Sequence, residues 1–350
     1  MLRVVYRSIG EAVGEFKSAV HLARDTTTMM DNLPTPAANR NPSLRSLLLS
    51  GEIAVLVVLT IAYLIGAALA AFIFPTGWWE QDFVVQASQW ISGRVDLPRG
   101  SGVVDVARFN GREYLISAPL PALLLLPAVV LVGEAVRQEY LTLALTAVNG
   151  WLLWRLGMQL GLRRRRDRWW LSLSLIAGSA YLGVSVVHIA AYLNQVAATT
   201  GLLIAVVALT AGSGGKAARW RWLGCGLGLA VALASRPALA IAILPFALLA
   251  WLDGPAVSRR ARMAALGVPV LAAVAGLGFY NLARFGVPWQ FGYRFADWGY
   301  RGGTPHSLFS VRYLPANLYY LFLALPELVW REGRLSFPFL KPSFWGTSIA

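Results

Sequence analysis

Long uncharged runs separated by short basic loops constrain this chain more than any other feature. From Ile53 to Phe74 there are 22 uncharged, mostly aliphatic residues, about 33 Å as a helix and enough to cross the hydrocarbon core of a bilayer. Similar runs follow at Leu141 to Leu162, at about 169 to 187, at 190 to 211 and at Ala264 to Ala283. Residues 222 to 252 hold one charge, Arg236, in 31 positions. One helix of that length would reach about 46 Å, so two short spans broken at Ser235-Arg236-Pro237 are expected. The predicted fold is all-α, a polytopic transmembrane helical bundle, because a spanning helix satisfies its backbone polar groups internally.

Charge sets the predicted orientation. RRRRDR at Arg163 to Arg168, KAARWR and SRRAR are the basic loops, which suit the cytoplasmic side of a membrane. The long polar stretch from Gly77 to Pro121 carries four arginines against five acids, which suits the outer side. An even number of crossings must then separate a cytoplasmic N-terminal tail, 1–50, from RRRRDR, yet three apolar segments intervene. Pro119 to Val132 is short and holds three prolines, so it is the segment expected not to cross. The chain is 57% hydrophobic and only 14% charged, against about 25% charged in soluble domains. Its net charge of +14 therefore belongs to membrane loops and not to a nucleic-acid surface. Cys225, the single cysteine, gives neither a disulfide framework nor a thiolate metal site. No P-loop, HExxH or dinucleotide fingerprint is present.

Within Gly77 to Pro121 the first half reads as an amphipathic helix on the bilayer surface. Asp82, Gln86, Gln89 and Gly93 recur on one face, with Phe83, Val84, Ala87, Trp90 and Ile91 opposite. Asp82 is then an acid at the membrane boundary, either a catalytic carboxylate or the N-terminal cap of that helix. Arg236, at membrane depth, suits a bidentate clamp on phosphate or else snorkels to the headgroups. Arg284, Arg294, Arg301 and Arg312 face one acid, Asp297, on what should be the translocated side. That excess opposes the usual bias and points either to an anionic ligand or to simple solvation. His188 and Asn194 flank Tyr192 at an outward junction, where the histidine is either structural or titrates near neutrality.

Four stretches carry a resemblance: D-F-x(3)-A-x(3)-I-x-G-R from Asp82 to Arg94, NGREYLISAPLPALLLLP, ASRPALAIAILP and YNLARFGVPWQFGY. Together they resemble bacterial members of the GT-C glycosyltransferase superfamily, relatives of protein O-mannosyltransferases and of the aminoarabinose transferases of lipid A. The resemblance covers about residues 50 to 345. It implies a GT-C-like transmembrane domain over 51–350 in a bacterial plasma membrane, with Asp82 in the first outer loop as general base. The implied reaction moves a sugar from a polyprenyl-phosphate carrier to an extracytoplasmic hydroxyl, with the bilayer as the other partner. Arg236 is similar to the phosphate-contacting basic residue of relatives. Arg284, His188, Asn194, Tyr114 and Tyr293 complete the implied set for substrate and carrier phosphate, with no cofactor and no metal ligand. Asn194 departs from relatives that carry a second acid there. The chain stops soon after FPFLKPSFWGTSIA, where relatives continue through further spans, which implies a truncated product. The competing class is a non-enzymatic transporter of lipid-linked glycan or a polysaccharide-assembly protein, which would need the arginine clamp but not Asp82.

Overall fold

The computed structural model describes residues 81–296 apart from 104, 187–188, 212–214 and 254–256, with scattered positions between 57 and 68 and between 314 and 323, and two strands beyond. The chain divides into Met1–Gly51 and Glu52–Ala350, and all described residues belong to the second unit. The expected tail at 1–50, Glu80, His188, Asp297, Arg301 and Arg312 lie outside the described residues.

The protein is mostly helical. Among the described residues the helices are α1 (Asp82–Ile91), α2 (Leu120–Val132), α3 (Gln138–Gln159), α4 (Arg165–Ile176), α5 (Tyr181–Val186), α6 (Ala190–Thr210), α7 (Gly215–Ser235), α8 (Ile243–Leu252) and α9 (Arg259–Phe285). The all-α expectation needs one correction, because two small antiparallel ribbons are also present. β1 (Val106–Phe109) pairs with β2 (Arg112–Leu115), and β3 (Leu328–Arg331) with β4 (Arg334–Leu340). The first turns through Asn110 and Gly111, both at positive φ of 49° and 73°, the pairing that a tight two-residue hairpin requires.

Two boundaries can be traced to local chemistry, one expected and one not. Pro237 has no N–H to continue α7, and Arg236 before it is extended at φ −141° and ψ 98°, as a residue preceding proline prefers. A short 3₁₀ turn, Pro237–Ala242, then leads into α8. The expected span at 169 to 187 is split into α4 and α5. Ser179 causes the split locally: its hydroxyl donates to the Leu175 carbonyl (2.6 Å) and accepts from the Tyr181 N–H (3.1 Å), replacing helical backbone bonds with side-chain ones.

Packing gives the bundle two distinct ends. The Thr210 hydroxyl donates to Gln159 Oε1 at 2.6 Å, so α3 and α6 finish together. α7 runs back antiparallel along α6 with almost nothing between the backbones. A Cβ on Gly201 would lie 2.4 Å from the Ala232 nitrogen, and one on Gly228 would lie 2.5 Å from the Ala205 nitrogen. α9 runs in the same direction as α7, since Gly226 abuts Leu266 and Arg221 pairs with Asp253 just before α9 begins. One end therefore gathers residues 160–168, 215–222, 253 and 257–262, with eleven Lys or Arg against Asp167 and Asp253. This is the basic end. The apical end gathers the starts of α3 and α6 and the finishes of α7 and α9.

By length and composition α6 and α9 could each cross a membrane, with mean hydropathy of 1.7 and 1.9. α9 turns Val268, Leu271, Val274 and Phe279 outward, the arrangement of a helix solvated by lipid rather than by core. α2 behaves differently. Its thirteen residues span only about 20 Å, and Ala122, Leu125 and Val129 pack it against Phe83, Val84 and Ala87 of α1.

Candidate functional site

α1 contains no glycine or proline, carries an acid in its first turn where the helix dipole favours one, and stops at Gly93, φ 71°. The residue at its N-cap position is Gln81, and Asp82 is the first residue of the helix proper. Gln81 itself reaches outside the helix. Its Nε2 donates to both carboxylate oxygens of Glu139 (3.0 and 2.9 Å), and its Oε1 accepts from the Gln138 N–H (2.9 Å). Gln138 Oε1 accepts from the Phe83 N–H at 3.4 Å in return. The exchange satisfies backbone donors at the starts of two helices and fixes α1 at the head of α3. Arg137 adds an ion pair to Glu139 at 2.8 Å.

This helix does not lie on a surface with its polar side outward. Asp82 and Gln86 are each only 2% exposed, whereas Ile91 of the supposed buried side is 51% exposed. The reason is a specific partner. Gln86 Nε2 donates to the Tyr280 hydroxyl, and Trp90 one turn later meets the Tyr280 ring edge-on, centroids 5.6 Å apart at 81°. The polar side of α1 is thus buried against the last turns of α9, while Phe83, Val84 and Ala87 pack into a cluster with Leu125 of α2 and Ala190 and Leu193 of α6.

Arg284, 3% exposed, anchors the same region. Its two terminal nitrogens donate to the Leu115 carbonyl of β2 and to Asn281 Oδ1, both at 2.6 Å, and its guanidinium lies 4.0 Å above the Tyr280 ring. Asn281 Nδ2 donates onward to the Pro288 carbonyl (3.1 Å), and Gly286 in the left-handed region closes α9. Arg284 therefore ties the hairpin to α9, with Nε as the guanidinium nitrogen that makes no hydrogen bond among the described residues. Tyr114, also buried, packs edge-on against Phe285 with centroids 5.3 Å apart. Tyr293, 39% exposed, sits in the 3₁₀ turn Tyr293–Phe295.

Asn194 and Arg236 belong to the neighbouring seam. Asn194 is buried with no hydrogen-bond partner for Oδ1, and it shares a helix face with Gly201, seven residues on, against α7. Measured from the Gly201–Ala232 contact, Asn194 lies about 10 Å and Arg236 about 6 Å toward the apical end, so they differ by less than one turn. The Arg236 side chain is exposed. Asp82, Arg284, Tyr114, Asn194 and Arg236 thus share one end of the bundle. The contacts join α1, the helix of Asp82, to Arg284 through Gln86 and Tyr280 and to α6 through Phe83. Nearby, a hydrogen-bonded ion pair from Arg94 (2.7 Å) holds Asp96 below the ordinary carboxylate range, while burial raises Asp105 above it. Among the described residues no group of three or more His, Cys, Asp or Glu is placed to hold a metal.

Sequence reasoning missed Gln86, Tyr280 and Asn281 as members of this site. Tyr280, Asn281 and Arg284 all lie in YNLARFG, so the motif was visible while the inward direction of Gln86 was not. No family model, curated protein or solved structure matches this chain.

Proposed function

We propose that the protein is a multi-pass membrane glycosyltransferase of the bacterial plasma membrane, moving a sugar from a polyprenyl-phosphate carrier to an acceptor hydroxyl on the extracytoplasmic side. The basic end faces the cytoplasm in this reading, in keeping with the bias of Lys and Arg toward that side. Asp82 takes the acceptor proton as the acceptor oxygen attacks the anomeric carbon. The carbon–oxygen bond to the carrier phosphate breaks with inversion, and polyprenyl phosphate leaves. Arg236 meets that phosphate.

The observation that carries the reading is the burial of Asp82 at the end of the bundle opposite the basic loops. A carboxylate removed from water among hydrogen-bonding side chains is the environment in which a general base is tuned. The test uses reconstituted protein with polyprenyl-phosphate sugars and an extract of envelope acceptors. Asp82→Asn keeps the shape of the side chain and removes its basicity, so transfer should fall by roughly 100-fold or more while carrier binding persists. Equal transfer by wild type and variant would sink the assignment. A wild type that transfers nothing but moves labelled carrier across vesicles would establish the transporter reading instead.

A further inference from the structure

The seam between α1 and α9 holds polar atoms that its own residues do not satisfy. Gln86, 2% exposed, gives Nε2 to Tyr280 and leaves Oε1 without a partner among the described residues. Turning the amide over exchanges the two atoms and still leaves one of them unmatched. Arg284, 3% exposed, likewise leaves Nε unmatched above the Tyr280 ring. Arg168 and Arg221 also have an unmatched Nε, but Arg168 is half-buried and Arg221 is ion-paired with Asp253. An incomplete buried amide is costly to keep, and here it stands one helical turn from Asp82 on the same side of α1.

We propose that this seam is a recognition subsite for a hydroxyl of a neutral sugar, with Gln86 and Tyr280 as the residues that read it. A hydroxyl both donates and accepts, so it completes Gln86 in either orientation of the amide and can accept from Arg284 as well. Phosphate, an anion whose oxygens are mainly acceptors, would set negative charge against the Gln86 oxygen in one of those orientations. The Gln86–Tyr280 bond is the contact that opens when the sugar enters, and Trp90, edge-on to Tyr280, registers the opening. Calling the ligand a sugar rests on the transferase reading. The hydroxyl chemistry rests on the seam itself.

Trp90 provides a readout independent of turnover. The full chain in detergent is titrated with a panel of methyl glycosides and, separately, with inorganic phosphate, and tryptophan emission is followed. A saturable response to a glycoside is expected. It should vanish in Trp90→Phe and weaken roughly tenfold in Gln86→Leu and in Tyr280→Phe. Tyr280→Phe keeps the ring beneath Arg284 and beside Trp90, so it carries the test if Gln86→Leu does not fold. A response to phosphate in place of glycoside, a response unchanged by both variants, or no glycoside response would each overturn the subsite. Glycoside binding by a wild type that transfers no sugar would keep the subsite and sink the transferase. Transfer unaffected by Tyr280→Phe and accompanied by no binding signal would do the reverse.

Discussion

The two ends of this bundle handle polar groups in opposite ways. At the basic end the cations of Arg163 to Arg166 stand outward, and others stack on tryptophan: Arg168 over Trp154 at 4.6 Å, Arg259 over Trp251 at 4.2 Å and Arg155 over Trp151 at 5.4 Å. The buried cation there, Arg262, spends its nitrogens on the carbonyls of Ala250 (2.8 Å), Asp253 (2.9 Å) and Val257, closing the turn between α8 and α9. At the apical end Gln81, Gln86, Asn281 and Arg284 instead tie one element to another through single, named bonds. Net charge is enough to place the first kind of surface. The second kind depends on particular partners, and it is the kind that can orient a reaction.

The comparison breaks first at Arg262. Arg262→Ala strands three carbonyls at a turn and should cost about 3 kcal/mol or more, read as a large drop in the thermal unfolding midpoint. An unchanged midpoint would mean that water replaces the guanidinium and that this end is held by charge alone. Arg284→Lys at the other end keeps the charge and loses the fork that reaches both Leu115 and Asn281. Proteolysis at Arg108 or Arg112 of the hairpin should then speed up by roughly tenfold, for a loss of about 1–2 kcal/mol. Cleavage at the wild-type rate would show that Phe285 and Tyr114 hold the hairpin without the arginine.

Ligand binding sharpens the same contrast. Arg236→Ala should weaken binding of polyprenyl phosphate several-fold, by about 1–1.5 kcal/mol for one charge-assisted contact, while Arg163→Ala at the basic end should leave it unchanged. Equal losses would make both arginines headgroup contacts. The smallest effect belongs to Arg94 and Asp96. The folded-state pKa of Asp96 lies below its unfolded value because of the Arg94 hydrogen bond, so the pair stabilises the fold above the ordinary carboxylate range and stops doing so as pH falls through the lowered value. Arg94→Ala should therefore be slightly less stable than wild type near neutral pH and equal to it in acid. A gap that survives acidification would assign the difference to something other than the ion pair.

Much of the bundle was legible in the sequence. The runs that became α3 and α9 were bounded by charges at both ends and that of α6 at its far end, and the break at Arg236 was written in the proline that follows it. The split of α4 from α5 was less visible, since it turns on the Ser179 hydroxyl inside an apolar run. The β1–β2 hairpin had a local sign in Asn110-Gly111, but four-residue strands inside a polar stretch read as loop. The surroundings of Asp82 had no local sign at all. The inward turn of Gln86 depends on Tyr280, 194 residues away, and the Gln81 exchange depends on Glu139, 58 residues away. A periodic polar face looks the same whether water or another helix will meet it.

The separation of Gln86 from Tyr280 also bears on the order in which the molecule can be made. α6 and α7 are neighbours in the chain and meet backbone to backbone at Gly201 and Gly228, so their contact can form as soon as both have been synthesised. The seam beside Asp82 closes by bringing together segments separated by most of the chain, the slowest kind of contact to establish. α1 leaves the ribosome well before α9, yet its Gln86 meets its partner only once Tyr280 has been translated and α9 has docked. A nascent chain that stalls before that point would hold an assembled pair of helices with the Asp82 side of α1 still open.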